Sequence, residues 1–468
     1  MNKDYMPRTL LLLLLVFVGC WALSWLPSSI FGQKIKKVDL LADLRPQPAD
    51  TTMDQLRAQL NNIPLPDNSE PLPSDTTSLS SARRDSLVQA INKPTAGAYA
   101  NGERIEDYTD NHSALQRFFK ALRTSRQSPV RIAFLGDSFI EGDILVGDFR
   151  NTLQKNFGGH GVGFVPISSV VAQYRSTVLM KSSGWKTLTL LTDRQQSYAI
   201  PGQLFETTAD IASLYFQNGS AYSTIQTVST LKLIYDRCDN TFVQLILNAA
   251  DTMDVSLPPT DKITQYTFNA DTIRTCTISF SDAKNLRALG VALEEPTGVT
   301  VDNHALRGNS GLPLANLDPA SCQAWNEIRP YDLIILQYGL NVADENTLDY
   351  NWYASRMTAV VNSLRDLFPM SDILLLGVSD RCSQYDGDFK TIPAVLALLN
   401  AQRRIARQAR IAFWNTFGAM GGENSMTHYV ANGWAGKDYT HLTYRGGSEI
   451  SKKLLKALMK EKEYYDNY

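Results

Sequence analysis

The chain has 468 residues, a formal net charge of −2 at pH 7, 44% hydrophobic residues and 20% charged residues. This composition is ordinary for a globular protein, and the length allows two or three domains. Because 45 basic residues are balanced by 47 acidic ones, the charge gives no support for nucleic-acid binding. The sequence has no C-x-x-C motif and no His/Cys cluster, so a structural zinc site is not expected. No other metal and no cofactor is predicted.

An uncharged apolar run extends from Leu10 to Leu26, close to the N-terminus. Such a run is short for a membrane span and long for the hydrophobic region of a signal peptide. We therefore expect residues 1–30 to form an uncleaved signal anchor that holds the chain in a membrane. Cleavage of this segment, or lipidation at Cys20, remains as an alternative.

Residues 31–108 are predicted to form a proline-rich linker that contains one short helix, at residues 81–91. Prolines among polar residues favour a semi-extended spacer, and six of them fall between residues 44 and 80: Pro46, Pro48, Pro64, Pro66, Pro71 and Pro73. A second helix is predicted at residues 111–126, where apolar residues recur at helical spacing.

The segment that organises the rest of the chain is Gly136-Asp137-Ser138. An apolar run from Val130 to Leu135 precedes it, and a helix-compatible segment follows at about residues 144–157. A strand, a tight turn that carries serine and then a helix are how an α/β fold presents a nucleophile at the carboxyl end of its sheet. Because a serine hydroxyl is a weak nucleophile at neutral pH, the fold must also supply a base.

The pattern of elements predicts an α/β domain that is interrupted by an all-β module. Strands and helices alternate in residues 109–165 and again in residues 298–468, which predicts a parallel sheet with helices on both faces. Between them, residues 166–297 contain alternating runs rich in Thr, Val, Ile and aromatic residues, separated by turn residues. These runs predict an inserted β-sandwich or jelly-roll-like module.

The base is predicted in the loop before the last helix. Asp438 and His441 are three residues apart, close enough for the carboxylate to orient the imidazole. His441 would then accept the proton of Ser138 and later return it to the leaving alcohol. The alternative is that His441 only caps or packs against the last helix.

These segments resemble, in order, the four sequence blocks of the SGNH (GDSL) hydrolase superfamily. The resemblance implies a flavodoxin-like fold and a carboxylic ester hydrolase. The four matching segments are Gly136-Asp137-Ser138, Arg307-Gly308-Asn309-Ser310, Gly339-Leu340-Asn341-Val342 and Asp438-Tyr439-Thr440-His441.

The same resemblance implies an oxyanion hole formed by the backbone N–H groups of Ser138 and Gly308 and the side-chain amide of Asn341. Gly311 competes with Gly308 for the second position. Val342 stands where the family usually has aspartate, and Asp344 is a candidate replacement.

A narrower resemblance rests on residues 157–164, on residues 419–426 and on the β insert. These segments resemble bacterial peptidoglycan O-acetylesterases, which carry a β-sandwich module between the first two blocks. This resemblance implies removal of acetyl groups from a cell-wall glycan. Together with the expected N-terminal anchor, it leads us to expect the catalytic domain in the periplasm or at the cell exterior. Trp434 and Tyr439 lie near the predicted base and are candidates for stacking on a sugar ring.

Two alternatives to the esterase remain. A peptidoglycan or polysaccharide O-acetyltransferase would use the same acetyl-serine intermediate, with a membrane acetyl-donor protein as its partner. A non-catalytic cell-wall binding protein is the third hypothesis. Four cysteines outside the N-terminal run allow three disulfide pairings, and the sequence does not choose among them: Cys238, Cys276, Cys322 and Cys382.

Overall fold

The computed structural model describes residues 80–91, 100–345 and 347–467, together with the backbone of residues 29–30 and 33–34. The chain divides into two units, Met1–Leu72 and Pro73–Tyr468. In the first unit, strand β1 (Ser29–Ile30) pairs antiparallel with β2 (Gln33–Lys34). Residues 1–28 of the predicted anchor and most of the predicted linker lie outside the described residues. Within the described part of the chain, no helix has the length and apolar character needed to cross a membrane.

The described residues of the second unit form nineteen further strands. In chain order they are β3 (Glu106–Asp107), β4 (Pro129–Gly136), β5 (Gly163–Pro166), β6 (Val178–Ser183), β7 (Trp185–Thr189), β8 (Gln203–Thr207), β9 (Ala212–Asn218), β10 (Val228–Arg237), β11 (Phe242–Leu247), β12 (Asp251–Ser256), β13 (Thr264–Ile273), β14 (Thr275–Ser281), β15 (Arg287–Glu294), β16 (Gly298–Ala305), β17 (Leu333–Gln337), β18 (Asp372–Leu376), β19 (Cys382–Tyr385), β20 (Asp388–Thr391) and β21 (Ala412–Trp414).

The α-helices of the described residues complete the second unit. They are α1 (Ser81–Ala90), α2 (Gln116–Arg123), α3 (Val146–Phe157), α4 (Pro319–Ile328), α5 (Asn351–Leu367), α6 (Pro393–Ala409), α7 (Thr416–Met420), α8 (Ser425–Ala431) and α9 (Tyr444–Asn467).

One six-stranded sheet, with the order β16-β4-β17-β18-β21-β3, forms the centre of the α/β part. The first five strands are parallel, and numbered along the chain they give the order 2-1-3-4-5 of a flavodoxin-like sheet. Their apolar side chains are buried on both faces, which explains why the strands appear in the sequence as continuous hydrophobic runs. The predicted α/β class is therefore confirmed.

The sixth strand corrects the prediction of a wholly parallel sheet. β3 lies in the segment predicted as linker, yet it pairs antiparallel with β21 through Ala412 and Asp107. A strand of two residues is too short to show an alternating pattern in the sequence. The following helix also begins later than predicted, at Gln116, because the Asp107 carboxylate binds the N–H groups of Thr109 and Ala114 and folds this segment as a turn.

The helices of the α/β part form two packing groups, with α3 against α9 and α5 against α6. The connection from β4 to β16 runs in one direction along the sheet, and the later connections run in the other. Because such crossovers are right-handed, the two groups cover opposite faces. The carboxyl ends of the strands are level, since Gly136 is paired with Ala305 and with Gln337. The chain reverses its direction between β4 and β17, where open α/β sheets bind ligands.

The all-β part is a sandwich of two antiparallel sheets. One has the order β13-β10-β15-β8-β7, with β5 also paired to β15, and the other has the order β12-β11-β14-β9-β6. Inward-facing apolar side chains from both sheets form one core, which includes Leu231, Leu233, Leu245, Ile278 and Val291. The four cysteines of the second unit are buried and unbonded to one another, so none of the possible disulfide pairings is formed.

Candidate active site

The predicted nucleophile follows β4, at the point where the chain reverses direction along the sheet. Asp137 shapes the turn by accepting the N–H of Phe139 at 2.9 Å, and the Glu141 N–H donates to the carbonyl of Ser138 at 3.3 Å. A Cβ at position 136 would lie 2.8 Å from Oε1 of Gln337 on the neighbouring strand, so a larger residue there would force neighbouring side chains to shift. The turn therefore presents Ser138 beyond the end of the sheet.

The structure brings the three predicted triad residues together. Ser138 Oγ lies 3.2 Å from His441 Nε2, and His441 Nδ1 lies 2.7 Å from Asp438 Oδ2. The second carboxylate oxygen, Asp438 Oδ1, accepts the backbone N–H groups of His441 and Thr440, both at 3.1 Å. The loop thus fixes Asp438, and Asp438 fixes the imidazole in the orientation that a general base needs.

The ionisation states of Asp438 and His441 favour their roles as orienting carboxylate and general base. Burial alone would raise the pKa of Asp438, but hydrogen bonds from His441 and Thr440 lower it to about 2. The hydrogen bond to the Asp438 carboxylate raises the pKa of His441 above its ordinary value, against the opposing effect of burial. Asp438 is therefore ionised at neutral pH and stabilises the imidazolium that forms when Ser138 loses its proton.

Asp137 lies beneath the serine and is 1% exposed. Burial raises the pKa of this carboxyl to about 7, although hydrogen bonds from Phe139 and Asn341 and the charge of His441 oppose the rise. Asp137 Oδ2 accepts the side-chain amide of Asn341 at 2.9 Å, and the same nitrogen lies 3.1 Å from the carbonyl oxygen of Asn309. Both acceptors fix which end of the Asn341 amide is nitrogen.

Two of the three predicted oxyanion donors are free to bind an oxyanion. The backbone N–H groups of Ser138 and Gly308 have no acceptor within the described residues. The competing glycine, Gly311, already donates its N–H to Asn309 Oδ1 at 2.9 Å, so Gly308 is the better candidate. Asn341 reaches the same region, but its Nδ2 already contacts two acceptors and would have to share a hydrogen with an oxyanion.

Two charged residues at the edge of this site were not predicted from the sequence. Arg307 Nη2 contacts Glu141 Oε2 at 2.5 Å, and these residues adjoin Gly308 and the Ser138 turn. Glu141 is nearly buried, whereas the Arg307 side chain is 60% exposed. Glu141 could have been noticed in the sequence, because it is a charged residue close to the Gly-Asp-Ser turn among apolar residues. Its pairing with Arg307 could not, because the two residues are 166 positions apart.

The aromatic candidates are engaged with the protein itself. The Tyr439 ring stacks on Phe389 of β20, with ring centroids 3.6 Å apart. The Trp434 ring packs edge-on against Tyr429 and His428. Their predicted contacts with a sugar ring remain predictions. Val342 is buried, and the N–H of Asp344 donates to the Tyr350 hydroxyl, so a replacement role for Asp344 also remains a prediction.

One group of residues outside the site has side chains of metal-ligating type. Oxygen and nitrogen atoms of Asp107, His112 and Glu461 lie within 4.8 Å of one another. The Asp107 carboxylate already accepts hydrogen bonds from two backbone N–H groups and from the Tyr465 hydroxyl, while His112 contacts Glu461 directly at 2.6 Å. These contacts connect the segment before α2 to the end of α9, which is a structural role.

Comparisons with known proteins bear on the fold. No protein-family model and no curated protein matches this chain. Among solved structures, a peptidoglycan O-acetylesterase is 22% identical with a TM-score of 0.61, covering 78% of this chain and 99% of that one. A family two carbohydrate esterase from Cellvibrio japonicus is 11% identical with a TM-score of 0.27, covering 61% and 99%. A lipase/acylhydrolase from Enterococcus faecalis is 12% identical with a TM-score of 0.25, covering 35% and 76%.

The first comparison shows that this chain shares the fold of a peptidoglycan O-acetylesterase across almost the whole of that esterase. The resemblance stated from the sequence blocks is thereby confirmed at the level of the fold. The roles of individual residues rest on the geometry described above.

Proposed function

We propose that the protein is a serine esterase that removes O-acetyl groups from a cell-wall glycan, with peptidoglycan as the substrate. One observation carries the proposal: Ser138, His441 and Asp438 form a continuous hydrogen-bonded series at the carboxyl end of the sheet. The shared fold with a peptidoglycan O-acetylesterase supports the choice of substrate. The proposal includes an N-terminal membrane anchor that places the catalytic unit outside the cytoplasm.

In the first half of the reaction, Ser138 Oγ attacks the acetyl carbonyl carbon while His441 Nε2 takes the hydroxyl proton. The carbonyl oxygen becomes an oxyanion, and we expect the N–H groups of Ser138 and Gly308 to stabilise it, with the Asn341 amide sharing a hydrogen with it. When the tetrahedral intermediate collapses, the bond to the sugar oxygen breaks and the imidazolium returns its proton to that oxygen. The sugar leaves with a free hydroxyl, and the acetyl group remains on Ser138.

In the second half, His441 removes a proton from water, and the resulting hydroxide attacks the acetyl-serine carbonyl. A second tetrahedral intermediate forms at the same oxyanion position and collapses to acetate and free Ser138. Asp438 stays ionised throughout, since its pKa is about 2. Its task is to hold His441 and to balance the positive charge of the imidazolium.

Hydrolysis is favoured over transfer by the exposure of the site. The side chains of His441 and Asp438 are 51% and 52% exposed, so water reaches the base directly. A transferase must keep water away from its acetyl-enzyme for the sugar acceptor to compete. The assembled triad also argues against a non-catalytic binding protein, because a disused site has no reason to retain three residues in hydrogen-bond contact.

The test is acetate release from O-acetylated peptidoglycan by the wild-type chain and by Ser138→Ala. We expect acetate release to fall about 10⁶-fold in the variant, the order of loss known for removal of a triad serine. Ser182→Ala, which changes an exposed serine on β6, is the matched control and is expected to keep wild-type activity. Wild-type rates in Ser138→Ala would contradict the mechanism.

A second measurement separates hydrolysis from transfer. The wild-type protein is given an O-acetylated donor together with an unacetylated muroglycan acceptor, and both free acetate and newly acetylated glycan are quantified. We expect acetate as the main product. Acetylated acceptor in excess over acetate would assign the site to an acetyltransferase.

A further inference from the structure

The loop that carries two of the triad residues contains a tyrosine in an unfavourable backbone conformation. Tyr439 lies between Asp438 and His441, and its φ of 52° is in the left-handed region. Its N–H donates to the carbonyl of Gly436 at 3.1 Å, and the Gly436 N–H donates to the carbonyl of His441 at 2.8 Å, which closes the loop. A left-handed residue after such a turn is usually glycine or asparagine, because a Cβ crowds the following carbonyl oxygen. Tyrosine at this position is therefore strained.

The β19–β20 hairpin holds Tyr439 in this conformation. The ring of Phe389, on β20, lies against the Tyr439 ring with centroids 3.6 Å apart and planes inclined by 7°. On β19, the N–H of Cys382 donates to the carbonyl of Tyr439 at 3.2 Å. The two strands thus fix the side chain and the backbone of the same residue, and both contacts oppose its relaxation to negative φ.

The hairpin is itself fixed at its base. A two-stranded hairpin alone is only marginally stable in water, so it needs such an attachment to hold another loop. Thr391, the last residue of β20, is fully buried. Its hydroxyl donates to Asp380 at 2.7 Å, its N–H donates to Asn424 Oδ1 at 2.9 Å, and its carbonyl accepts Nε of Arg84 at 2.9 Å. Because Asp380 follows β18, these bonds attach the hairpin to the parallel sheet.

The conformation of Tyr439 determines where the base lies. Only Tyr439 and Thr440 separate Asp438 from His441, so a change of φ at Tyr439 rotates the imidazole away from the carboxylate. The 2.7 Å contact between His441 Nδ1 and Asp438 Oδ2 and the 3.2 Å contact between His441 Nε2 and Ser138 Oγ both depend on this rotation. A misplacement of about 1 Å in a catalytic group lowers the rate by up to about 10²-fold.

We propose that Phe389 is a positioning residue for the triad: its ring stacks on Tyr439 and so holds the left-handed conformation that places His441 between Asp438 and Ser138. The proposal rests on the esterase function proposed above. Phe389 acts on the reaction through Tyr439 and without contact to the reacting atoms. The strain at Tyr439 is maintained by the stacking and is released when the stacking is lost.

The first experiment measures kcat and KM of the full-length protein for an aryl acetate, a substrate without a sugar. Phe389→Ala is expected to lower kcat about 10-fold with little change in KM, because one aromatic pair contributes a factor of about 2 to 10 and the strain at Tyr439 adds to it. Phe389→Tyr keeps the ring and is expected to retain wild-type kcat. Phe242→Ala removes a partly exposed phenylalanine from β11 of the sandwich and is the matched control, with wild-type values expected.

Substitutions at position 439 test the route of the effect. Tyr439→Ala loses the stacking but keeps a Cβ, so its kcat should fall about as far as in Phe389→Ala. Tyr439→Gly adopts positive φ without strain, and its kcat should be several-fold higher than that of Tyr439→Ala. When Phe389→Ala is added to Tyr439→Gly, kcat should change less than about 2-fold, because the residue through which Phe389 acts is no longer strained.

The pKa of His441 gives a readout that does not depend on activity. The hydrogen bond to Asp438 raises this pKa, so misalignment in Phe389→Ala should lower it towards the ordinary value. The charges of Arg307 and Asp137, which also act on His441, are the same in the variant. The titration is followed by NMR of ring-labelled histidine in the full-length protein, with the His441 resonance identified by its absence in His441→Gln.

The outcomes separate this proposal from the esterase function. Unchanged kcat and unchanged His441 pKa in Phe389→Ala overturn the role of Phe389, as does a loss of kcat that persists undiminished in the Tyr439→Gly background. Equal kcat in Tyr439→Ala and Tyr439→Gly also overturns it, and this comparison holds when Phe389→Ala is unstable, since both variants leave the hairpin sequence intact. Absence of Ser138-dependent acetate release overturns the esterase, and the His441 pKa then still decides the role of Phe389.

Discussion

Ser138 Oγ and His441 Nε2 lie 3.2 Å apart although 303 positions separate the two residues in the chain. The contact depends on the parallel sheet, because Ser138 follows β4 and His441 precedes α9, which packs against α3 on the same face. The whole β-sandwich is inserted between these two parts of the chain without disturbing their contact.

Asp438→Asn is expected to change both the rate and its pH dependence. The amide can still accept the backbone N–H groups of the loop, but it no longer carries the charge that raises the pKa of His441. The plateau of kcat/KM for aryl acetate hydrolysis should fall about 10³- to 10⁴-fold.

The direction of the pH effect follows because His441 can accept the Ser138 proton only when its imidazole is neutral. Wild-type kcat/KM should rise with pH through the raised pKa of His441, above the ordinary value of about 6.5. In Asp438→Asn this acidic limb should move to lower pH. Asp388→Asn, at an exposed aspartate on β20, is the control and should keep the wild-type profile. If the acidic limb of the pH profile keeps its position or moves to higher pH in Asp438→Asn, then Asp438 does not raise the pKa of His441.

Asn341→Ala tests the third oxyanion donor. Removing such a donor costs about 3–4 kcal/mol of transition-state stabilisation, so kcat should fall about 10²- to 10³-fold with little change in KM. Asn341 also binds the Asp137 carboxylate, so the unfolding free energy must be measured in parallel. A rise in KM at unchanged kcat would show that Asn341 contributes to substrate binding and not to the oxyanion hole.

Asp143→Asn tests how the sandwich is attached beside the Ser138 turn. The buried Asp143 carboxylate accepts hydrogen bonds from Arg150, Arg175, Thr177 and Asn303, and Arg175 and Thr177 precede the first strand of the sandwich's second sheet. Burial alone would raise the pKa of Asp143, but the two guanidinium groups hold it well below its usual range. Without this charge, Arg150 and Arg175 are buried with no anion beside them. We expect the free energy of unfolding to fall by about 3–5 kcal/mol.

Equilibrium urea unfolding at pH 7 measures this cost. The stabilisation by Asp143 is present above the unfolded-state pKa of about 3.9 and is lost as the pH falls below it, so the deficit of the variant should shrink in acid. Asp110→Asn removes an exposed ion pair with Arg410 and should cost less than about 1 kcal/mol. If Asp143→Asn and Asp110→Asn lower the free energy of unfolding equally, then the buried Asp143 ion pairs stabilise the protein no more than an exposed one.

The sequence predicted those features that depend on neighbours along the chain. Apart from Arg131, the run from Val130 to Leu135 is apolar because β4 is buried on both faces, and this continuous run is visible without a structure. The Asp438–His441 pair was predictable for the same reason, since three residues of loop bring the two side chains together. The parallel sheet followed from the alternation of strands and helices, whereas its flavodoxin-like arrangement was implied only by the resemblance of the four sequence blocks.

The features that escaped prediction depend on contacts between distant segments. Arg307 and Glu141 are 166 positions apart, and Asp143 is 34 positions from Thr177, so no local pattern reveals either contact. β3 is too short to be recognised before β21 is in place to pair with it. The sequence blocks already favoured Gly308, but the case against its competitor Gly311 required knowing that Asn309 Oδ1 accepts the Gly311 N–H.

The central claim is that an acetyl group passes through Ser138. The most direct measurement is rapid acid quenching of the wild-type protein during turnover of O-acetylated peptidoglycan, followed by peptide mass spectrometry. The account predicts an acetyl group on the peptide that contains Ser138, present during turnover and absent after the substrate is exhausted. Turnover without any acetylated Ser138 peptide, or an acetyl group that accumulates on another residue at the catalytic rate, would contradict it.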